Sequence, residues 1–369
     1  MSLPEQPLVF YTTEQHFRSL TEEIAATGAG DRVALATMAL NVEDPAVETL
    51  LDALCAASQR RAETSLSIDA FSLMYDNDDR PTGPLAPLRN PNDDTPQCFQ
   101  RRHAVLGYMR EQRVRIGFTN TPRSRLHLPF AGRSHIKGSV VNDRWRIGGC
   151  NLDSGTNADM MVGGEQPRAA DFLYNTFSAF ARSGQVQDIL GKEDVIFPID
   201  ATTDLLIDVG KRGQSLIYDQ ALEVIDSTEQ QLILTCQHFP GGKTGRHIAA
   251  LMRGSIEAHT FYNGHHGKLG STAMGFLRQW DKLTLPQALF AGELSADHPF
   301  LHAKIAVNEQ EFIVGSHNLI PIGVQLGTAE IALHCRRPDT ARQAARVALS
   351  CIDQNKVGVR LPAPVAAAG

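Results

Sequence analysis

One pattern occurs twice in this chain, and it constrains the fold more than anything else in the sequence. The first copy runs His135-Ile-Lys137 to Gly148-Gly-Cys-Asn151, the second His302-Ala-Lys304 to Gly315-Ser-His-Asn318. The histidine, lysine, glycine and asparagine of the two copies are all separated by the same 167 positions. Each copy reads as a β-hairpin: a strand carrying His and Lys, an Asn-Asp or Asn-Glu turn, and a second strand ending in Gly-Gly or Gly-Ser. A repeat with fixed internal spacing, in a chain of 369 residues, predicts two similar lobes rather than two unrelated domains. We place them at residues 1–200 and 201–369.

The elements leading into each copy support this. Residues 13–27 and 45–61 have helical periodicity, 32–40 and 65–74 read as strands, and 98–111, 114–119 and 172–181 as helix, strand and helix. The order recurs as helix 214–225, strand 231–239, helix 244–253, strand 256–263 and helix 272–280. Strands around Lys304 and Phe312, a strand at 329–335 and a helix at 340–352 follow. Alternating strands and helices predict an α/β class with a largely parallel sheet in each lobe. Residues 75–97, rich in Pro, Asp and Asn, read as a long loop, and 361–369 as a disordered tail.

Strand geometry gives the repeat its chemistry. Residues i and i+2 share a face, so His135 and Lys137 point the same way, roughly 7 Å apart at ~3.3 Å per residue. Ile136 and Val140, and Ala303, Ile305 and Val307, face the opposite layer. Two such half-sites facing each other place two imidazoles and two ammonium groups across one cleft. One imidazole can attack phosphorus while the other protonates the leaving oxygen. The lysines and asparagines can hold the non-bridging oxygens, a task given to Mg²⁺ in many phosphoryl-transfer sites. Neither a metal nor a cofactor is required.

The doubled H-x-K…G-[GS]-x-N pattern resembles that of the phospholipase D superfamily, over about Phe10 to Cys335. The resemblance implies a two-lobed α/β/α fold with a pseudo-twofold active site between the lobes, and a phosphohistidine intermediate. It implies His135 as nucleophile and His302 as general acid, then base. Lys137, Lys304, Asn151 and Asn318, helped by Ser316, would bind phosphate oxygens. An acid downstream of each motif would orient its histidine, Asp159 for His135 and Glu330 for His302, by the logic of a Ser-His-Asp triad. The aspartate that usually completes the motif is missing. Asn142 and Asp143 stand there in the first copy and Glu309 in the second, which suits a turn better than a chemical role. Gly149 replaces the serine of the second copy.

The function this favours is a metal-independent phosphodiesterase or phosphatidyltransferase acting on phospholipids, with a nuclease of the same superfamily as the alternative. A non-catalytic scaffold is disfavoured because both His-Lys pairs and both asparagines are intact. Composition narrows the partners. The net charge of −6 excludes a globally basic nucleic-acid coat. Yet residues 101–146 hold eleven Lys or Arg against two acids, a segment that would attract a phosphodiester locally. No apolar run approaches the ~20 residues of a membrane span, and the N-terminus lacks a signal-peptide pattern. We therefore expect a cytoplasmic monomer, peripheral to the membrane at most, whose phospholipid or other phosphodiester substrate is met at a transient membrane surface. Six scattered cysteines form neither a disulfide framework nor a zinc site.

Three other features have blander readings. Gly241-Gly-Lys-Thr244 lacks the first glycine of a P-loop, with Gln237 in its place. His265-His266 has no carboxylate or thiol nearby to complete a metal site. Trp145 reads as a packing residue of the hairpin.

Overall fold

The computed structural model describes residues 5–73, 97–121, 132–264, 281, 284–295 and 297–352. The loop at 75–97, the helix at 272–280, His265-His266 and the C-terminal tail fall essentially outside them.

Two mixed sheets form the framework. The first contains β1 (Val9–Thr12), β2 (Arg32–Thr37), β3 (Glu63–Asp69), β4 (Arg115–Thr119), β5 (Gly138–Val141), β6 (Arg144–Gly148) and β7 (Met160–Glu165), in the order β1-β7-β6-β5-β2-β3-β4. The second contains β8 (Val195–Pro198), β9 (Thr203–Val209), β10 (Gln231–Thr235), β11 (Glu257–Asn263), β12 (Glu293–Leu294), β13 (Ile305–Val307), β14 (Phe312–Gly315) and β15 (Ala329–Cys335), in the order β12-β11-β10-β13-β14-β15-β9-β8. The run β3-β2-β5-β6-β7 matches β11-β10-β13-β14-β15 strand for strand, so the repeat in sequence is a repeat in topology.

The expectation of largely parallel sheets is overturned. Only β2–β3–β4 and β10–β11–β12 are parallel. Every other pairing between the described strands is antiparallel. The reason is connectivity: a helical crossover returns the chain parallel, whereas each motif hairpin and the strand after it must run antiparallel.

Packing follows the alternation along the strands. In β2, Val33 and Leu35 face helices α1 (Thr13–Ala25) and α2 (Pro45–Gln59) in an outer core, while Ala34 and Ala36 face inward. In β13, Ala306 faces the outer core built with the helices Leu216–Asp226 and Gly242–Arg253, while Ile305 and Val307 face inward. The two inner faces share one apolar cluster, which also takes in the helices Pro167–Phe180 and Pro338–Ser350. At ~25 cal/mol per Å², that shared burial joins the lobes into one body. Trp145 lies in it, 1% exposed, as a packing residue.

The local chemistry of the hairpins bears out the turn reading. Asn142 adopts φ 54°, which Asn tolerates, and its Oδ1 accepts the backbone N–H of Arg32 at 3.1 Å. At the matching position Glu309 Oε1 accepts the N–H of Glu229 at 2.7 Å. Both residues at the missing-aspartate position therefore anchor the chain entering the neighbouring parallel strand, β2 or β10. The Gly-Gly-Lys-Thr stretch is structural too, since the Thr244 hydroxyl donates to the Leu319 carbonyl at 2.7 Å. Cys55, Cys150, Cys236, Cys335 and Cys351 are buried free thiols.

Candidate active site

The His-Lys segments precede their strands rather than lying in them: β5 begins at Gly138 and β13 at Ile305. Their backbone partners come from the opposite lobe. The His135 N–H donates to the Ala329 carbonyl at 2.8 Å, and the Ala329 N–H to that of Arg133 at 2.8 Å. In the same pattern the His302 N–H donates to the Ala158 carbonyl at 2.8 Å, and the Ala158 N–H to that of Phe300 at 3.0 Å. Ala158 and Ala329 immediately precede the two acids.

This exchange sets the acid–histidine pairing, and it corrects the expected one. Asp159 Oδ2 lies 2.6 Å from Nδ1 of His302, and Glu330 Oε1 lies 3.2 Å from Nδ1 of His135. Both acids are as expected, but each serves the histidine of the other lobe. Neither lobe holds a complete pair alone.

The likeness to solved structures agrees with this two-lobed geometry. Phosphatidylserine synthase from Haemophilus influenzae Rd KW20 superposes with a TM-score of 0.68 at 14% identity, over 96% of this chain and 88% of that one. The fold is that of phospholipase D. Polyphosphate kinase from Porphyromonas gingivalis matches this phospholipase D-like fold with a TM-score of 0.54 at 12% identity, over 93% of this chain and 46% of that one. No protein-family profile matches the sequence, and no curated protein matches it.

Electrostatics at the seam of the phospholipase D-like lobes are strongly coupled. Burial alone would raise the Glu330 carboxyl, but His135, His317 and Lys137 outweigh it and hold the group at about 2. Asp159 is likewise held below the usual carboxylate range: burial opposes, and His302 and Lys304 prevail. Both acids are ionised at neutral pH. Burial, reinforced by Lys304, pushes the His302 imidazole down to about 4 despite Asp159. Its Nδ1–H therefore donates to Asp159 in the neutral ring, leaving Nε2 as a lone pair. Neither Nε2 has a partner among the described residues, and His135 is the more open ring, its side chain 21% exposed against 10% for His302.

Both ammonium groups are buried. Lys137 Nζ donates to the His135 carbonyl at 2.8 Å and Lys304 Nζ to the His302 carbonyl at 2.5 Å. Burial lowers both. Lys304 falls to about 8, with Lys137 pulling the same way and Asp159 and Glu330 opposing. Each lysine thus feeling both acids, and Lys304 feeling Lys137 as well, places the half-sites around one centre.

The remaining expected residues divide. Asn151 Nδ2 donates to Asp153 Oδ2 at 3.3 Å, and its Oδ1 is buried without a partner among the described residues, as is that of Asn318. Ser316 departs from its expected role: its hydroxyl donates to Glu330 Oε2 at 2.5 Å, so it positions the acid. Gly149 stands at the matching place because a Cβ there would lie 2.2 Å from Asp159 Oδ1. Gly pairs with the shorter acid and Ser with the longer one.

Sequence reasoning missed four residues. Asp69, at the end of β3, accepts the N–H of Ser134 at 2.7 Å. Asn263, at the matching end of β11, bonds both the N–H and the carbonyl of Leu301, at 2.9 and 2.7 Å. Each fixes the residue before its histidine, and a polar residue ending the same strand in both lobes was the available signal. Asp153, between Asn151 and the lysines, is pushed up to about 6 by burial. His317 accepts the Leu319 N–H on Nδ1 at 2.9 Å, so Nε2 carries its proton.

The basic segment divides between buried and exposed partners. Arg101 pairs with Glu48, Arg133 with Asp69, Arg144 with Glu23 and Glu165, and Arg146 with Glu23. Arg102 donates to the Ser72 carbonyl, and Arg110 stacks over Phe118. Arg102, Arg133 and Arg146 are buried, whereas Arg101 and Arg144 pair at the surface. Among the described residues no group of three or more His, Cys, Asp or Glu could hold a metal ion, and no helix is long and apolar enough to cross a membrane.

Proposed function

We propose that this protein is a metal-independent phosphodiesterase or phosphatidyltransferase acting on phospholipids, its lobes 1–200 and 201–369 working as one unit. The observation that carries the reading is the pair of crossed histidine–carboxylate contacts, each beside a buried lysine. In the proposed reaction Nε2 of His135 attacks phosphorus, and the bond to the leaving oxygen breaks as His302 supplies its proton. Water or an alcohol, deprotonated by neutral His302, then attacks the phosphohistidine, and the P–N bond breaks to restore His135. Lys137, Lys304, Asn151 and Asn318 hold the non-bridging oxygens throughout. His302 is neutral in the free protein, so its proton comes on with substrate: an anionic phosphodiester favours the imidazolium.

One observation favours lipid over nucleic acid: the superposition on a phosphatidylserine synthase covers most of both chains. The deciding experiment is a panel in EDTA of phospholipid vesicles with and without added alcohol, single-stranded DNA and RNA, and a nitrophenyl phosphodiester. Headgroup release or exchange, lost in both His135→Ala and His302→Ala, supports the reading. Cleavage of nucleic acid alone would transfer it to a nuclease. The nitrophenyl ester needs no acid to leave, so His302→Ala should still form acid-labile phosphoprotein and His135→Ala should not. The reverse pattern exchanges the two roles.

A further inference from the structure

Arg133 is a buried cation whose donors are only partly used. It is 2% exposed. Its Nη1 reaches Asp69 Oδ1 at 3.5 Å and the Asn120 carbonyl at 3.3 Å, while Nε and Nη2 are buried with no partner among the described residues. Buried donors are rarely left unpaired, because each loses its water without compensation. The unused pair is specific in shape: Nε–H and Nη2–H run parallel along one edge of the planar guanidinium, the fork that matches the two oxygens of a carboxylate.

Arg133 also lines a cavity of about 130 Å³ on the seam between the lobes. Asn120, Gln185, Gln187 and Asp188 contribute to it from one side, Val209 and Gly327 from the other. The Gln185 and Gln187 amides each spend one N–H on a backbone carbonyl, that of Thr121 or of Gly210, and retain a second.

We propose that this cavity is a binding site for a small carboxylate, seated on the Nε–Nη2 edge of Arg133. Charge selects the class. Asp69 already offsets part of the guanidinium charge, and Asp188 adds a further acid to the wall, so a monoanion is better matched than a phosphate dianion. The site lies two residues from His135, and the Arg133–Ala329 backbone pair that borders it carries Glu330 as the next residue. Occupancy would therefore bear on the strand pair that holds His135 against its acid. The inference stands whether or not the proposed phospholipid chemistry is right.

The test is a titration with sodium acetate against sodium chloride and sodium phosphate at matched ionic strength. It is read by thermal unfolding and by the arginine Nε–H resonances of labelled protein. Acetate is expected to raise Tm saturably and to shift one Nε–H resonance, absent in Arg133→Lys. That variant keeps a cation for Asp69 but loses the fork, and should weaken acetate at least tenfold. Should Arg133→Lys unfold, Gln187→Trp, at the exposed rim, narrows the mouth and should weaken acetate as well. A response equal to that of chloride, one that survives both variants, or phosphate binding more tightly than acetate would overturn the proposal.

Discussion

Nδ1 of His302 lies 2.6 Å from Oδ2 of Asp159, a carboxylate carried by the other lobe. The contact exists because the His302 N–H is bonded to Ala158, the residue before that acid. If the acid acts through this histidine, Asp159→Asn should cut turnover by about 10²–10⁴-fold, as loss of a histidine-orienting carboxylate does elsewhere. Ring titration by NMR separates the crossed pairing from a same-lobe one. Asp159→Asn should lower the pKa of His302 further, because Asp159 holds it up against burial. A His302 titration that does not move in Asp159→Asn would contradict the pairing.

Lys304 gives the alkaline side of the pH profile a definite origin. Its ammonium is pushed down to about 8 by burial. The charge that would hold a phosphate oxygen is present below that pH and lost as pH rises through it. Because kcat/KM reports the free enzyme, it should fall above about pH 8. Lys304→Arg stays charged, so its activity should be lower throughout but lack this limb. A limb that persists in Lys304→Arg belongs to another group.

What the sequence made legible and what it hid divide along physical lines. His135, Lys137, His302 and Lys304 were readable because their spacing repeats, and Ile136, Ala303 and Ile305 because strand alternation is a local property. Asp159 and Glu330 were readable as acids but not as partners. Their pairing is set by backbone bonds between lobes, and nothing in the local spacing records those. The same blindness applies to Arg144 and Arg146, whose counter-charge Glu23 lies far away in the chain, so part of a run that reads as a free basic field is neutralised on folding. Strand direction failed differently. The helical crossovers among the described residues were seen correctly, but they account for only part of each sheet, and the motif hairpins reverse the rest.

Acid stability follows from two groups at the seam. Glu330 sits at about 2 against a reference of 4.5. Its contribution is complete above pH 4.5 and lost as pH falls toward 2, about 3 kcal/mol at 1.36 kcal/mol per pKa unit. His302 sits at about 4 against 6.5, so protons favour the unfolded chain from pH 6.5 downward until the folded ring also titrates near 4. Denaturant midpoints should therefore decline from pH 6.5 and continue to fall below 4.5. In Glu330→Gln the decline below 4.5 should flatten. An unchanged slope there would show that Glu330 does not carry the acid-labile term.

The unequal residues at the heads of the two motifs give the last prediction. Gly149 leaves the space that Asp159 fills, and a Cβ would sit 2.2 Å from its Oδ1. Ser316 instead donates to the longer Glu330. Gly149→Ser, which makes the first motif look like the second, should displace Asp159 from His302 and destabilise the fold by ~1–3 kcal/mol, the usual cost of overpacking. Turnover should fall toward that of Asp159→Asn. Ser316→Ala removes one hydrogen bond to a charged group, about 1.5–3 kcal/mol, but adds no bulk, so Glu330 stays against His135 and more activity should remain. The double variant Gly149→Ser with Asp159→Glu gives the first motif the Ser–Glu pair that the second motif already holds, and at a matching strand spacing: a Cβ at Gly148 would lie 2.4 Å from the Met160 carbonyl and one at Gly315 2.2 Å from that of Ile331. Turnover should therefore recover in part over Gly149→Ser alone. Turnover and thermal melts of the four variants check this, and a Gly149→Ser protein as active as wild type would show that Asp159 does not need the space.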